Sequence, residues 1–561
     1  MNGIEKPRLG NAQLFKLVKS VQTASAHEPY IDGLRAVAVM LVVLFHLDVQ
    51  LVSGGFIGVD VFFVISGFLI TRNIISRFNE GSFSITEFYA GRIRRLLPAL
   101  MATISMTIVA AGIFLPPMHL EKFGLSSLYA LFHLSNVHFY QSAGYFDTSS
   151  ELKPLLHLWS LSVEEQFYLF WPIILLFTSR LFSRLWIPLM IAGLSLMSFV
   201  AAEYFIDLDP DAVFYLPIFR CYEFGIGALI VFARRWKFAN DTISVFLFAC
   251  AFLLLLHQSI SINKFDPFPG KMVLLTALAS GVMLWLHYPV WLGKKLLESR
   301  LATFIGRISY SLYLTHWPII ALTKHAVLGP LTPTLQIGLL LASIGSAFLL
   351  HSLIENPFRY QTKKYSKTTS KVVTVTASLI LLLGILLVTH MHSSQGWPWR
   401  YSDEIQNLIV DVKSHRNRNS AEVRRWSKLP FLPDKTAVLI IGDSHATDLF
   451  NALHLTNDAI SVRRAGISVI CQPVLATRTH LTEKAASKCR RIMKKILDGR
   501  KSLIQEADIV ILAARWKDWA VDHLPDTIEA IGDTTNARIV IAGPSIEFTP
   551  EVPDLVAQYG N

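Results

Sequence analysis

The sequence predicts a polytopic α-helical membrane protein of about 11 spans, followed by a small C-terminal α/β domain. Three observations predict it. The 561 residues are 52% hydrophobic and 17% charged, whereas a soluble protein is about a quarter charged. Apolar runs of bilayer-crossing length recur from residue 33 to residue 390. Beyond them the chain turns polar, and short β-rich apolar runs alternate with helical stretches.

The runs lie at 33–52, 55–75, 97–116, 155–178, 185–203, 213–233, 242–260, 272–291, 305–323, 333–353 and 371–390. Residues 1–30 carry Lys6, Arg8, Lys16 and Lys19 and read as a cytoplasmic segment, which makes the first span an uncleaved anchor. The loops after even-numbered spans then hold the cations, among them Arg77, Arg92, Arg94 and Arg95, then Arg234 and Arg235, then Lys363, Lys364 and Lys367. The opposite loops are poor in cations, and "DLDPD" at 207–211 is acidic. All short loops agree on one orientation, with the N-terminus inside. The net charge of +11 is thereby assigned to cytoplasmic loops, which removes the case for a nucleic-acid partner.

An odd span count puts everything after His390 outside the cytoplasm. The chain divides into a cytoplasmic segment (1–30), a ten-span membrane domain (31–362), an eleventh span (363–392), a linker (393–433) and an α/β domain (434–561). Residues 118–153 form a long outer segment. In the last domain "TAVLIIGDSHATDLF" reads as a buried strand, a tight turn and a helix start, and "ADIVILAARW" and "ARIVIAGPSIEFTP" as two further strands of a parallel sheet. Cys471 and Cys489 fall there, in a compartment that permits a disulfide, whereas Cys221 and Cys250 sit in or beside apolar runs.

Polar residues inside the spans are the candidate site. Arg35 and His46 are eleven residues apart, almost three helical turns, so they share a face about 16 Å apart along the axis. A histidine facing lipid would cost a few kcal/mol, so His46 faces the bundle, either as a packing residue or as a reactive one. Asp60, near the outer end of span two, lies at a similar depth and is the expected partner fixing its tautomer. Ser66 and Gly67 allow close helix approach or a channel. Span four opens with "HLWSLSVEEQFYLFWP", holding Glu164, Glu165 and Gln166, and span nine places Tyr310, Tyr313 and His316 on one face. Together these residues predict a catalytic or transport chamber. No metal site is expected. Between spans two and three, Ser84 and Glu87 fit a capping box, after which Arg92 and Arg95 share a face suited to a phosphate or simply to the membrane surface.

At "DGLRAVAVMLVVLFH", "GFIGVDVFFVISGFLI", "RIRR", "LWSLSVEEQFYLFWP", "SYSLYLTHWP" and "ENPFR" the chain resembles the acyltransferase family 3 proteins, bacterial envelope O-acyltransferases, over roughly residues 28–362. The resemblance implies transfer of an acyl group, usually acetyl from acetyl-CoA, across the inner membrane to a carbohydrate hydroxyl of the envelope, such as O-antigen or exopolysaccharide. It makes acyl-CoA the donor substrate, with no permanently bound cofactor. It assigns Arg92 and Arg95 to the CoA phosphates, makes Arg35 and His46 essential, and extends to Glu164. The alternative for the same chamber is a transporter or flippase of a solute or lipid-linked sugar.

"IIGDSHATD" resembles the first block of GDSL/SGNH-type hydrolases, fused in some family members as a periplasmic domain. This implies that Ser444 is a nucleophile and that the amide of Gly466, in "RRAGIS", joins its oxyanion hole. The third block lacks its usual asparagine and reads "AARW", leaving Arg515 as a substitute donor. None of His445, His454, His480 and His523 has an aspartate three positions before it. The expectation is a domain cut short or catalytically degenerate.

Overall fold

The computed structural model describes residues 27–142, 150–181, 186–206, 208–234, 241–262, 268–286, 291–327, 330–359, 381–403, 406–407, 422–467, 471–474, 483–514, 516 and 518–543. The N-terminal segment up to residue 26, the first part of the expected eleventh span, Arg515 and the C-terminal end lie outside the described residues. The chain forms two compact units, Met1–Trp397 and Pro398–Asn561.

The main helices of the first unit are α1 (Pro29–His46), α2 (Gly58–Glu80), α3 (Ile85–Phe114), α4 (Pro117–Leu131), α5 (Ser135–Ser142), α6 (Leu158–Leu181), α7 (Trp186–Phe205), α8 (Cys221–Ala233), α9 (Asp241–Ser261), α10 (Gly270–Trp285), α11 (Arg300–Arg307), α12 (Ser309–Ala326), α13 (Pro333–Leu350) and α14 (Leu381–Ser393). Among the described residues, six helices are long and apolar enough to cross a membrane, and α8, α10 and α14 are shorter apolar helices. The helices α6 and α12, which carry the polar residues of spans four and nine, belong to neither group. Length and composition thus give a multi-pass membrane protein without fixing the count at eleven.

Two boundaries differ from expectation in ways that matter for the site. Helix α1 ends at His46, so the imidazole sits on its last turn rather than inside a span reaching residue 52. Helix α3 starts at Ile85 and runs 30 residues through Pro98. Ser84 caps it, its Oγ accepting from the amide of Glu87 at 3.3 Å. Arg92 and Arg95 therefore belong to the same rigid element as the third span. The segment after Leu115 forms α4 and α5.

Helices α2 and α8 pack backbone to backbone. A Cβ at Gly67 would lie 1.9 Å from the carbonyl oxygen of Phe224, and one at Gly227 would lie 1.9 Å from that of Val64. Only glycine permits such an approach.

The second unit contains a parallel sheet of four strands, β1 (Thr436–Gly442), β2 (Ile460–Gly466), β3 (Ile509–Ala513) and β4 (Arg538–Ala542), in the order β2-β1-β3-β4. Strand β2, "ISVRRAG", was not among the expected strands, because its two arginines break the apolar run. β1 is buried on both faces. Leu439 and Ile441 pack toward Met493 and Ile496 of α16 (Glu483–Gly499), and Val438 and Ile440 toward Ala446 and Phe450 of α15 (Ser444–Thr456). Such two-sided burial is why parallel strands read as continuous apolar runs.

Candidate active site

A partly open cavity lies between α1, α2, α3, α6 and α12. It gathers seven of the expected site residues: Arg35, Ser66, Arg92, Arg95, Glu164, Tyr310 and Tyr313. Arg92 and Arg95, three apart on α3, turn the same way, and Arg94 between them is exposed. The Arg92 guanidinium lies 4.6 Å from the ring centre of Tyr168. Ser66 and Tyr168 both donate hydrogen bonds to Glu164 Oε1, and the Tyr168 hydroxyl reaches Ser66 Oγ at 3.0 Å. The Tyr310 hydroxyl donates to the carbonyl of Leu96 at 2.9 Å, tying α12 to α3. Arg35 lies 3.9 Å from Asp32, one turn earlier on α1.

Tyr313 is part of the cavity wall. Its hydroxyl is 2.5 Å from Ser160 Oγ and 3.0 Å from the carbonyl of His157. Its ring centre is 5.6 Å from those of His157 and His316. His316 Nε2 in turn lies 3.0 Å from His46 Nδ1, with the two rings stacked. One tyrosine and one histidine thus stand in contact between the cavity and His46.

Tautomers follow from the partners. His316 Nδ1 lies 3.0 Å from the carbonyl of Leu312, which only accepts, so Nδ1 carries the hydrogen. In the neutral pair His316 Nε2 then accepts from His46 Nδ1–H. His46 Nε2 is left with its lone pair bare, and no described residue donates to it. The end of α1 is held in place by Lys324 of α12, which pairs with Asp48 at 2.7 Å. Trp317 packs 4.2 Å from the His46 ring. Three histidines meet here, yet among the described residues no cluster is arranged to hold a metal ion.

Asp60 does not join them. The expected pairing with His46 is not made, since His46 meets His316 instead. Asp60 sits in the first turn of α2 and faces α8, where Oδ1 accepts from Arg220 Nη2 at 2.7 Å. Glu223 lies 3.3 Å from Arg220 Nε. All three side chains are at most 1% exposed. Four aromatic rings, Phe63, Trp159, Phe214 and Phe268, surround the guanidinium at 5.5–5.9 Å. Equal depth on neighbouring helices does not fix rotation about their axes, and rotation decided the partner. Arg220, in an otherwise apolar run with Glu223 one turn on, was the overlooked signal. Ser160 and His157, beside the quoted glutamates, were overlooked too.

In the second unit Ser444 opens α15 at the carboxyl end of β1, and Asp443 caps that helix, accepting from the His445 amide at 3.0 Å. Ser444 Oγ is buried without a hydrogen-bond partner among the described residues. Gly466 pairs with Gly442 across the sheet, so the ends of β1, β2 and β3 converge there. Arg464 donates to the Asp443 carbonyl at 2.7 Å. Cys471 and Cys489 form a disulfide.

Known proteins share the two parts of this chain in sequence. The model of the acyltransferase domain matches residues 28–352, and that of the SGNH domain fused to such acyltransferase domains matches residues 414–560. The peptidoglycan O-acetyltransferase OatA of Listeria monocytogenes is 31% identical over 337 residues, 57% of this chain and 52% of that protein. The putative peptidoglycan O-acetyltransferase YrhL of Bacillus subtilis is 29% identical over 557 residues, 91% of this chain and 85% of its own. The O-acetyltransferase OatA of Staphylococcus aureus (strain MRSA252) is 29% identical over 389 residues, 66% of this chain and 64% of its own. The chain spans about half the length of the Listeria protein. No solved structure is significantly similar to it. The matched length and the shared two-part organisation place this chain in the acyltransferase family, in the branch with a fused SGNH domain.

Proposed function

We propose that the protein transfers an acetyl group from acetyl-CoA to a hydroxyl of an envelope glycan. The observation that carries this reading is an arginine-lined cavity whose wall residue Tyr313 lies 5.6 Å from His316, itself 3.0 Å from His46. Arg92, Arg95 and Arg35 offer forked donors suited to the donor's phosphates. Glu164 holds Ser66 and Tyr168 on the cavity wall and so shapes it. His46 Nε2 is the general base. It takes the proton of the acceptor hydroxyl as that oxygen bonds to the acyl carbon, the carbon–sulfur bond breaks, and the proton passes to the departing thiolate.

The names of the relatives favour peptidoglycan over O-antigen or exopolysaccharide as the acceptor. In the orientation set by the loop cations, the arginine end faces the cytoplasm, and His46 and the C-terminal unit face outward. A disulfide in that unit fits the same side. The transporter reading has no comparable support, since it gives the His46 base no task.

The test is transfer from labelled acetyl-CoA to glycan in membranes carrying the protein. His46→Ala should lower it at least a hundredfold, within the range of a positioned base, while leaving acetyl-CoA bound. Wild-type transfer by that variant would discard the role.

A further inference from the structure

The second unit spreads its charge unevenly. Residues 434–561 hold 15 Lys and Arg against 16 Asp and Glu, yet seven of those cations and one acid, Asp498, fall within 488–501. That stretch is most of α16 and the turn after it. One side of the helix is taken by the core, where Met493 and Ile496 are buried against β1. The Cys471–Cys489 disulfide fastens the helix as well. Arg491, Lys494 and Lys495, spaced three and four apart, share the opposite side. They and Lys501 are exposed, and among the described residues none of the four forms an ion pair.

A second segment extends this surface. Arg500, just past α16, donates from Nη1 to the carbonyl of Ser427 at 3.0 Å and to that of Arg464 at 2.8 Å. Residues 424–432, "RRWSKLPFL", are thereby tied to the end of α16. There Arg425 and Lys428 are exposed and form no ion pair among the described residues. Leu429 and Leu432 beside them are 39% and 40% exposed. Residues 394–423 connect this segment to the apolar helix α14, so the unit stays within reach of a bilayer at a high effective concentration. A face that served solubility alone would mix charges of both signs. Cations without acids, next to exposed leucines, suit anionic headgroups above acyl chains.

We infer that the exposed side of α16, together with residues 424–432, is a docking surface for an anionic phospholipid bilayer. The guanidinium and ammonium groups meet headgroup phosphates, and Leu429 and Leu432 enter the acyl boundary. Docking turns one side of the second unit toward the membrane instead of leaving it free on its connecting segment. This surface does not depend on the reaction proposed above.

The full-length protein can be placed in nanodiscs of phosphatidylcholine, alone or mixed with phosphatidylglycerol. Acylation of Lys428, Lys494 and Lys495 by the uncharged reagent N-acetoxysuccinimide is then followed by mass spectrometry. Phosphatidylglycerol should slow all three at least about tenfold, a factor that the attraction of a few surface cations exceeds. Raising NaCl to about 0.5 M should restore the rates, because screening then acts within a few ångströms. Leu429→Gln/Leu432→Gln changes two exposed positions and should lose part of this protection. Its labelling in phosphatidylcholine discs and its melting temperature should match wild type. Equal rates in the two lipids overturn the inference. So does protection by soluble polygalacturonate in phosphatidylcholine discs with no effect of phosphatidylglycerol, which would make the face a polysaccharide site.

Discussion

The membrane unit holds two clusters of charged side chains that meet their surroundings on opposite terms. Around the cavity, Arg35, Arg92, Arg95 and Glu164 are partly accessible, and the arginine heads border open space. Between α2 and α8, Asp60, Arg220 and Glu223 are sealed, with at most 1% of each side chain exposed. Both clusters put ionisable residues where lipid would be expensive. Among the described residues, only the first borders open space. Intramembrane charge alone therefore does not mark a reactive site in this fold. The sealed cluster spends its polarity on holding two helices together.

The sharpest way to break this contrast is Arg220→Met. Removing the cation leaves two carboxylates buried together, and stability should fall by about 3–5 kcal/mol. Thermal unfolding in detergent would register it, and adding Asp60→Asn and Glu223→Gln should recover most of the loss. An Arg220→Met protein as stable as wild type would mean the cluster is not sealed.

Arg92→Lys sharpens the other side. It keeps the charge and loses the fork, so acetyl-CoA affinity by calorimetry should drop about tenfold with the melting temperature unchanged. A large fall in stability would make Arg92 structural like Arg220.

The smallest effect belongs to a cluster of intermediate exposure. Glu28, just before α1, bonds Arg72 and lies 3.1 Å from Arg234. Burial pushes its carboxyl up, but Arg234 and then Arg72 pull it below the ordinary 4.5. A lowered acid contributes stability that is complete above its unfolded value and disappears as pH falls through the folded one. Glu28→Gln should therefore lower the melting temperature near neutrality by the equivalent of about 1 kcal/mol or less, and the two proteins should converge below pH 4.5. A constant gap across that range would assign the loss to packing.

What the sequence revealed divides along the same line. Arg92 and Arg95 were legible because spacing on one helix settles which face they share. The Ser66 and Glu164 positions were legible as polar breaks in apolar runs, and β1 with Ser444 as a strand, turn and helix start. Partners across helices were not. His46 meets a residue 270 positions away, and Asp60 one 160 positions away. Those pairings depend on how each helix is rotated, which periodicity leaves free when a helix is apolar on most sides. The end of α1 at His46 was equally hidden, because the apolar run continues past it.

The contact between Gly67 and Gly227 and the facing backbones decides more than helix spacing. The Asp60–Arg220–Glu223 cluster bridges the same two helices that those glycines let approach so closely. A single methyl group at either position would collide with the facing backbone and push α2 from α8. Two absent side chains thus set the spacing of the helices that carry a charge pair whose members lie 160 residues apart in the chain.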